Sequence, residues 1–209
     1  MTDNTSHNSE PRIVLFAQPA QAATVTDRLA GVAAIVITGD ADALDEDLRN
    51  AIRNAGTPVL KASTQSERAD GFDGLHLQAG AGEVKIARKV LAAGGMLGAG
   101  AARTRHAAMQ LGEAMPDYVL LGRIATADPT DNDIAAEPEL VEWWSDLFEL
   151  PCVAVAETTG DVGVLAESGA DFIGLNRMIW EAQDPAGALG EAAETLASIP
   201  PRLAEETGA

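Results

Sequence analysis

The stretch Gly74–Ala99, GLHLQAGAGEVKIARKVLAAGGMLGA, holds in miniature the pattern that decides the fold. It opens on an apolar, β-rich run from Gly74 to Leu77. It then passes through a helical stretch from Gly82 to Leu91 and closes on a second apolar run from Met96 to Ala99. Neither run alternates apolar with polar residues, which is how a strand buried on both faces reads. A strand, a covering helix and a second strand imply parallel pairing with a right-handed crossover.

Working outward, the same alternation recurs along the chain. Further strand-like runs lie at Ile13–Phe16, Ala34–Ile37, Val59–Ala62, Tyr118–Gly122, Cys152–Ala156 and Phe172–Leu175. With the two above they make eight. The gaps carry helix signals. Asp184-Pro185 sets a capping Asp before a Pro at the first helical position, and Leu189, Ala192, Ala193 and Leu196 continue as an apolar stripe. Leu140, Val141, Trp144, Leu147 and Phe148 form another such stripe, 45–55 reads as a helix, and 64–70 and 161–168 read as short ones. Eight units favour closure into a single (β/α)8 barrel over an open doubly wound sheet, which more often has five or six strands. The expected organisation is a disordered tail at 1–11, a barrel domain at 12–199 and a loose C-terminal tail at 200–209. The longest connection is the polar loop Ala125–Pro138, a length often tied to function and otherwise a plain surface loop.

Composition narrows the function classes. The 209 residues are 46% hydrophobic and 22% charged, ordinary globular usage, with only 4% aromatics. The core must therefore rest on Ala, Val, Leu and Ile. A formal charge of −18 disfavours a phosphate-backbone partner, since nucleic-acid binding rests on clustered Lys and Arg, and none is expected. Cys152 stands alone, so neither a disulfide framework nor a cysteine metal site is expected. The polar start MTDNTSHNSEP lacks the apolar core of a signal peptide, and no apolar run approaches a membrane span. A cytoplasmic address without membrane attachment follows by elimination.

In a β/α barrel the chemistry sits at the carboxyl ends of the strands. The residues there are Thr38 and Asp40, Lys61, His76 and Gln78, Arg103 and Arg105, Arg123, then Glu157, Thr158 and Thr159, and finally Asn176 and Arg177. Five of the fourteen basic residues fall at this end. A small phosphorylated or other anionic ligand would explain that clustering, because guanidinium forks grip phosphate. Pairing with the many acids of the chain explains it as well. A phosphate corner in such barrels uses the loops after strands seven and eight, here Thr158-Thr159-Gly160 and Asn176-Arg177. Thr-Thr-Gly-Asp is equally an ordinary helix start. His76 and Lys61 are the candidates for catalytic groups. A histidine between Leu75 and Leu77 is more commonly a hydrogen-bonded core residue. Trp143-Trp144 and Trp180 suit packing or a homo-oligomer contact. No Cys or His pair has metal-ligand spacing, and no P-loop or dinucleotide fingerprint is present.

Three runs carry a family resemblance: Asp73-Gly74-Leu75-His76-Leu77, Asp117-Tyr118-Val119-Leu120-Leu121-Gly122 and Gly169-Ala170-Asp171-Phe172-Ile173. Over roughly residues 57–198 the chain resembles the thiamin phosphate synthase family, β/α barrels that include a thiazole tautomerase branch. The resemblance implies a transferase of thiamin biosynthesis, which couples hydroxymethylpyrimidine diphosphate to thiazole phosphate with magnesium on the diphosphate. The family's motif positions are mostly substituted. Its Gln-x-Arg-x-Lys run after strand two reads Val36, Thr38 and Asp40, and its Asn-Asp pair after strand three reads Lys61-Ala62. Its Gln and Asp beyond strand four become Ala79 and Ala81, its Ser after strand five Gly100. The Thr-x-Thr-Lys loop becomes Ala127-Asp128-Pro129-Thr130, and the Gly-Gly turn Val155-Ala156. His76, Gly122 and Thr158 are kept. A magnesium diphosphate needs carboxylates for the metal and cations or amides for its oxygens. The expectation is therefore that the magnesium site is lost, that no other cofactor replaces it, and that the family's catalysis is altered or absent. Lys61, Arg103, Arg123, Thr158, Thr159, Gly160, Asn176 and Arg177 are then the candidate ligand contacts. The alternative is a non-catalytic barrel that binds a phosphorylated small molecule or a protein partner.

Overall fold

The computed structural model describes residues 10–125 and 132–200. The expected tails fall almost wholly outside that range, as does the substituted 127–130 motif. Eight strands run in chain order around a closed barrel: β1 (Arg12–Ala17), β2 (Val32–Ile37), β3 (Val59–Ser63), β4 (Gly74–Gln78), β5 (Met96–Ala102), β6 (Tyr118–Leu121), β7 (Cys152–Val155) and β8 (Phe172–Leu175). Every neighbouring pair is parallel, and β8 returns to β1 with Arg12 opposite Phe172 and Leu15 opposite Leu175. The barrel expected from the sequence is the barrel observed.

The helices are α1 (Pro19–Ala22), α2 (Glu46–Asn54), α3 (Ala81–Val90), α4 (Arg105–Gly112), α5 (Pro138–Leu147), α6 (Thr159–Glu167), α7 (Arg177–Trp180) and α8 (Pro185–Ala197). Asp184 caps α8 through the amide of Gly187, with Pro185 at its first turn. The helix expected at 64–70 does not form. The Ser63 hydroxyl accepts from the Gln65 amide and donates to its carbonyl, while Glu83 accepts from the Ser66 amide. Those local bonds satisfy the backbone in a turn and remove the incentive to coil.

Strand alternation divides the core into two layers. Leu15, Ile35, Leu75 and Leu97 point outward to the helices, while Phe16, Val36, Leu60, Leu120 and Val155 fill the barrel interior. Gly98 and Gly100 let the interior take large side chains, because a Cβ at either would overlap the Tyr118 ring or the Leu120 side chain. Tyr118 thereby crosses over β5 to reach His76 on β4.

The resemblance-bearing aspartates turn out to be staples at the amino end of the barrel. Asp73 accepts from the Val59 amide at 2.8 Å, Asp117 from Leu97 at 2.6 Å and Asp171 from Cys152 at 2.9 Å. Each aspartate precedes one strand and holds the start of the strand before it. Arg53 and Arg88 add ion pairs to the first two. Among the described residues no helix is long and apolar enough to cross a membrane.

Candidate functional site at the barrel mouth

The carboxyl end of the barrel divides into two halves. On the β6–β8 side, the segment returning from the long connection folds back over the rim. Arg123 and Ile134 exchange backbone hydrogen bonds, and the Ala136 amide donates to the Val155 carbonyl. Between them Asp133, only 4% exposed, inserts its carboxylate against the loop after β8. It accepts from Asn176 Nδ2 at 2.9 Å, the Arg177 amide at 3.0 Å and the Ala125 amide at 2.7 Å. Asn132 completes the join: its carbonyl accepts from Arg123 and its side chain from Arg177. The Arg177 guanidinium also pairs with Glu181.

The neighbouring corner is closed in the same manner. Thr158 caps α6, and Asp161 reaches back to accept from the amides of Glu157 at 3.0 Å and Thr158 at 2.8 Å. This reciprocal capping satisfies the helix start from within the chain. Of the residues read as a phosphate corner, Asn176 and Arg177 are thus joined to Arg123 through Asn132 and Asp133. Thr158, Thr159 and Gly160 sit on the separately capped start of α6.

The β2–β4 side is open. A cleft of about 370 Å³ lies among Thr38, Asp40, Lys61, Thr64, Glu67 and Gln78. Lys61, its side chain 14% exposed, donates to Asp42 at 3.0 Å and pairs with Glu67 at 3.3 Å. Burial favours the neutral amine, but the hydrogen bonds and charges of Asp42 and Glu67 outweigh it and hold the pKa above its ordinary value. Lys61 is therefore a fixed ammonium, unsuited to nucleophilic attack, which needs a lowered pKa. Arg103 lies exposed beyond β5, and Arg105 stacks over the Trp143 ring at 5.1 Å.

His76 lies inside the barrel. Its Nδ1 is 2.9 Å from the Tyr118 hydroxyl, its ring meets Phe16 edge-on, and its Nε2 has no hydrogen-bond partner among the described residues. Complete burial pulls its pKa down to about 3, so it is neutral. Burial likewise raises Tyr118 well above the usual phenol range. At 0% exposure His76 contacts no solvent, which distances it from any role at the mouth. Cys152 is also buried, its thiol pushed up to about 12.

The positions that the family resemblance implies for magnesium ligands carry side chains without a donor atom. The expected ligand positions hold Ala62 and Ala81, and the described residues contain no group of three or more His, Cys, Asp or Glu placed to hold a metal. The sequence reading missed Asp42 and Glu67, whose proximity to Lys61 depends on how two rim loops turn. It also missed Asp133, two of whose three partners, Asn176 and Arg177, lie more than forty positions away.

A closed parallel β/α barrel whose polar groups gather at the carboxyl rim belongs to the class that builds small-molecule sites there. The particular family follows from comparison: residues 22–179 match the thiamine monophosphate synthase family model, and the chain belongs to that family. The match begins well before residue 57, where the resemblance was legible by eye. A thiamine-phosphate synthase of Erythrobacter litoralis is 39% identical over 117 residues, covering 54% of this chain and 55% of that protein. One of Hyphomonas neptunium is 36% identical over 140 residues, covering 66% and 63%. The aligned part thus spans less than two thirds of either relative. Thiamine phosphate pyrophosphorylase from Pyrococcus furiosus superposes with a TM-score of 0.71 at 18% identity, covering 91% of this chain and 97% of that one, a likeness of fold.

Proposed function

We propose that this barrel has lost the coupling reaction of its family and works as a ligand-binding protein through the cleft at the carboxyl ends of β2, β3 and β4. One observation carries the reading: the Asp133 carboxylate occupies the Asn176–Arg177 corner, making three hydrogen bonds where an incoming phosphate would need them. A phosphate entering there would have to displace a buried anion and then stand beside its charge. The substitutions at Thr38, Asp40, Ala62 and Ala81 support the same reading, since they take away cations and metal ligands.

The names of the bacterial relatives favour a second reading, in which the chain still performs the synthase reaction. The two are separated by incubating the protein with hydroxymethylpyrimidine diphosphate, thiazole phosphate and magnesium. No thiamin phosphate above background is expected. Turnover at an ordinary enzymatic rate would establish the second reading and remove the first.

A further inference from the structure

We infer that the cleft around Lys61 takes a small organic cation carrying an ammonium group, rather than a phosphate ester. The inference rests on the proposal that the cleft is the ligand site.

Charge and hydrogen bonding both point there. The cleft lining holds one ammonium, Lys61, against the carboxylates of Asp40, Asp42 and Glu67, a formal surplus of two negative charges. Lys61 is fully engaged by Asp42 and Glu67, so it offers an incoming anion no unmatched charge. A dianion would meet net repulsion from a rim in which Asp40 has no counter-ion among the described residues. The side chains of Thr38, Asp40 and Gln78 make no hydrogen bond with any described residue. Between them they supply a carboxylate, a hydroxyl and an amide carbonyl, all of which can accept from an ammonium.

The interior below the cleft adds no compensating positive charge. Ala62 and Gln78 line the cleft, and His76 lies beside Ala62 on the neighbouring strand and one pleat beneath Gln78. Its imidazole is neutral, wholly buried and, among the described residues, unpartnered at Nε2. An ammonium sitting between Asp40 and Gln78 therefore faces carboxylates at the rim and an uncharged floor. The volume, about 370 Å³, suits a ligand of a few carbon atoms and excludes a long polyamine from full burial.

The test is a set of amide-resolved NMR titrations of the full chain with 1,4-diaminobutane, with 1,4-butanediol as the uncharged analogue, and with inorganic phosphate. Saturable shifts confined to 38–42, 61–64 and Gln78 are expected with the diamine alone, weakening as salt screens the charges. Asp40→Asn should weaken that binding about threefold to fivefold, the scale of one solvent-exposed ion pair. Glu191→Gln, on the distant α8, should leave it unchanged. Shifts spread evenly over the acidic surface, equal shifts from the diol or phosphate, or an unaffected Asp40→Asn protein would each overturn the inference. Its failure is distinct from failure of the underlying reading. A protein without synthase turnover that ignores the diamine loses only the ammonium assignment, whereas turnover removes the reading beneath it.

Discussion

The two halves of the barrel mouth handle their polar groups in opposite ways. On the β6–β8 side, backbone amides and the Asn176 amide are matched by Asp133 and Asp161, both carboxylates of the chain itself. On the β2–β4 side, the side chains of Asp40, Thr38 and Gln78 face a cleft with no hydrogen-bond partner among the described residues. The contrast shows that a rim rich in charged residues is not by that fact a binding site. What separates a site from a structural joint is whether the groups have already been satisfied from within.

The largest effect expected concerns the floor beneath the open half. His76 titrates at about 3 when folded against 6.5 when unfolded, so the unfolded chain alone takes up a proton between those values. Stability is fully present above pH 6.5 and falls progressively toward pH 3, by roughly 5 kcal/mol in total from this group. Urea unfolding of wild type and His76→Gln across that window measures it. Parallel losses in the two proteins would mean that the imidazole is hydrated and the floor is not dry.

A smaller loss is expected on the closed half. Asp133→Ala strands the Asn176 amide and two backbone N–H groups, and should lower stability by about 3 kcal/mol in chemical denaturation at neutral pH. A change within a few tenths of a kcal/mol would show that the joint is ornamental and that the corner opens readily.

Least affected should be the open side. Lys61→Met removes an ion-pair hub whose acidic partners are largely solvated, and should change stability by less than about 1 kcal/mol. A loss as large as that of Asp133→Ala would erase the distinction between the halves.

Most of the fold could be read in advance because it rests on local signals. Predominantly apolar runs marked all eight strands, broken only by Lys61 and His76, and Asp184-Pro185 and Thr158-Thr159-Gly160-Asp161 marked helix starts. The 64–70 segment defeated the reading because a serine turn competes with helix at short range. The mouth was legible in its membership and not in its pairings. Lys61, Arg123 and Arg177 were visible as cations at strand ends. Whether a cation or an amide there is free depends on Asp42, Glu67, Asn132 and Asp133, residues brought in by loops whose course no periodicity encodes.

The aspartate staples at the opposite end of the barrel carry a consequence for how the molecule comes apart. Asp73 ties β3 to β4, Asp117 ties β5 to β6, and Asp171 ties β7 to β8, while at the start of β1 the Ile13 amide bonds the Gly31 carbonyl instead. The lower rim is thereby divided into two-strand modules, three of them riveted by a side chain and the first held by backbone alone. Chain breaks placed between modules, as in α3 between β4 and β5, spare every rivet. Breaks within a module sever the link between an aspartate and the strand it holds. Fragment complementation should therefore succeed along module boundaries and fail across them, giving the barrel a grain that its rotational symmetry conceals.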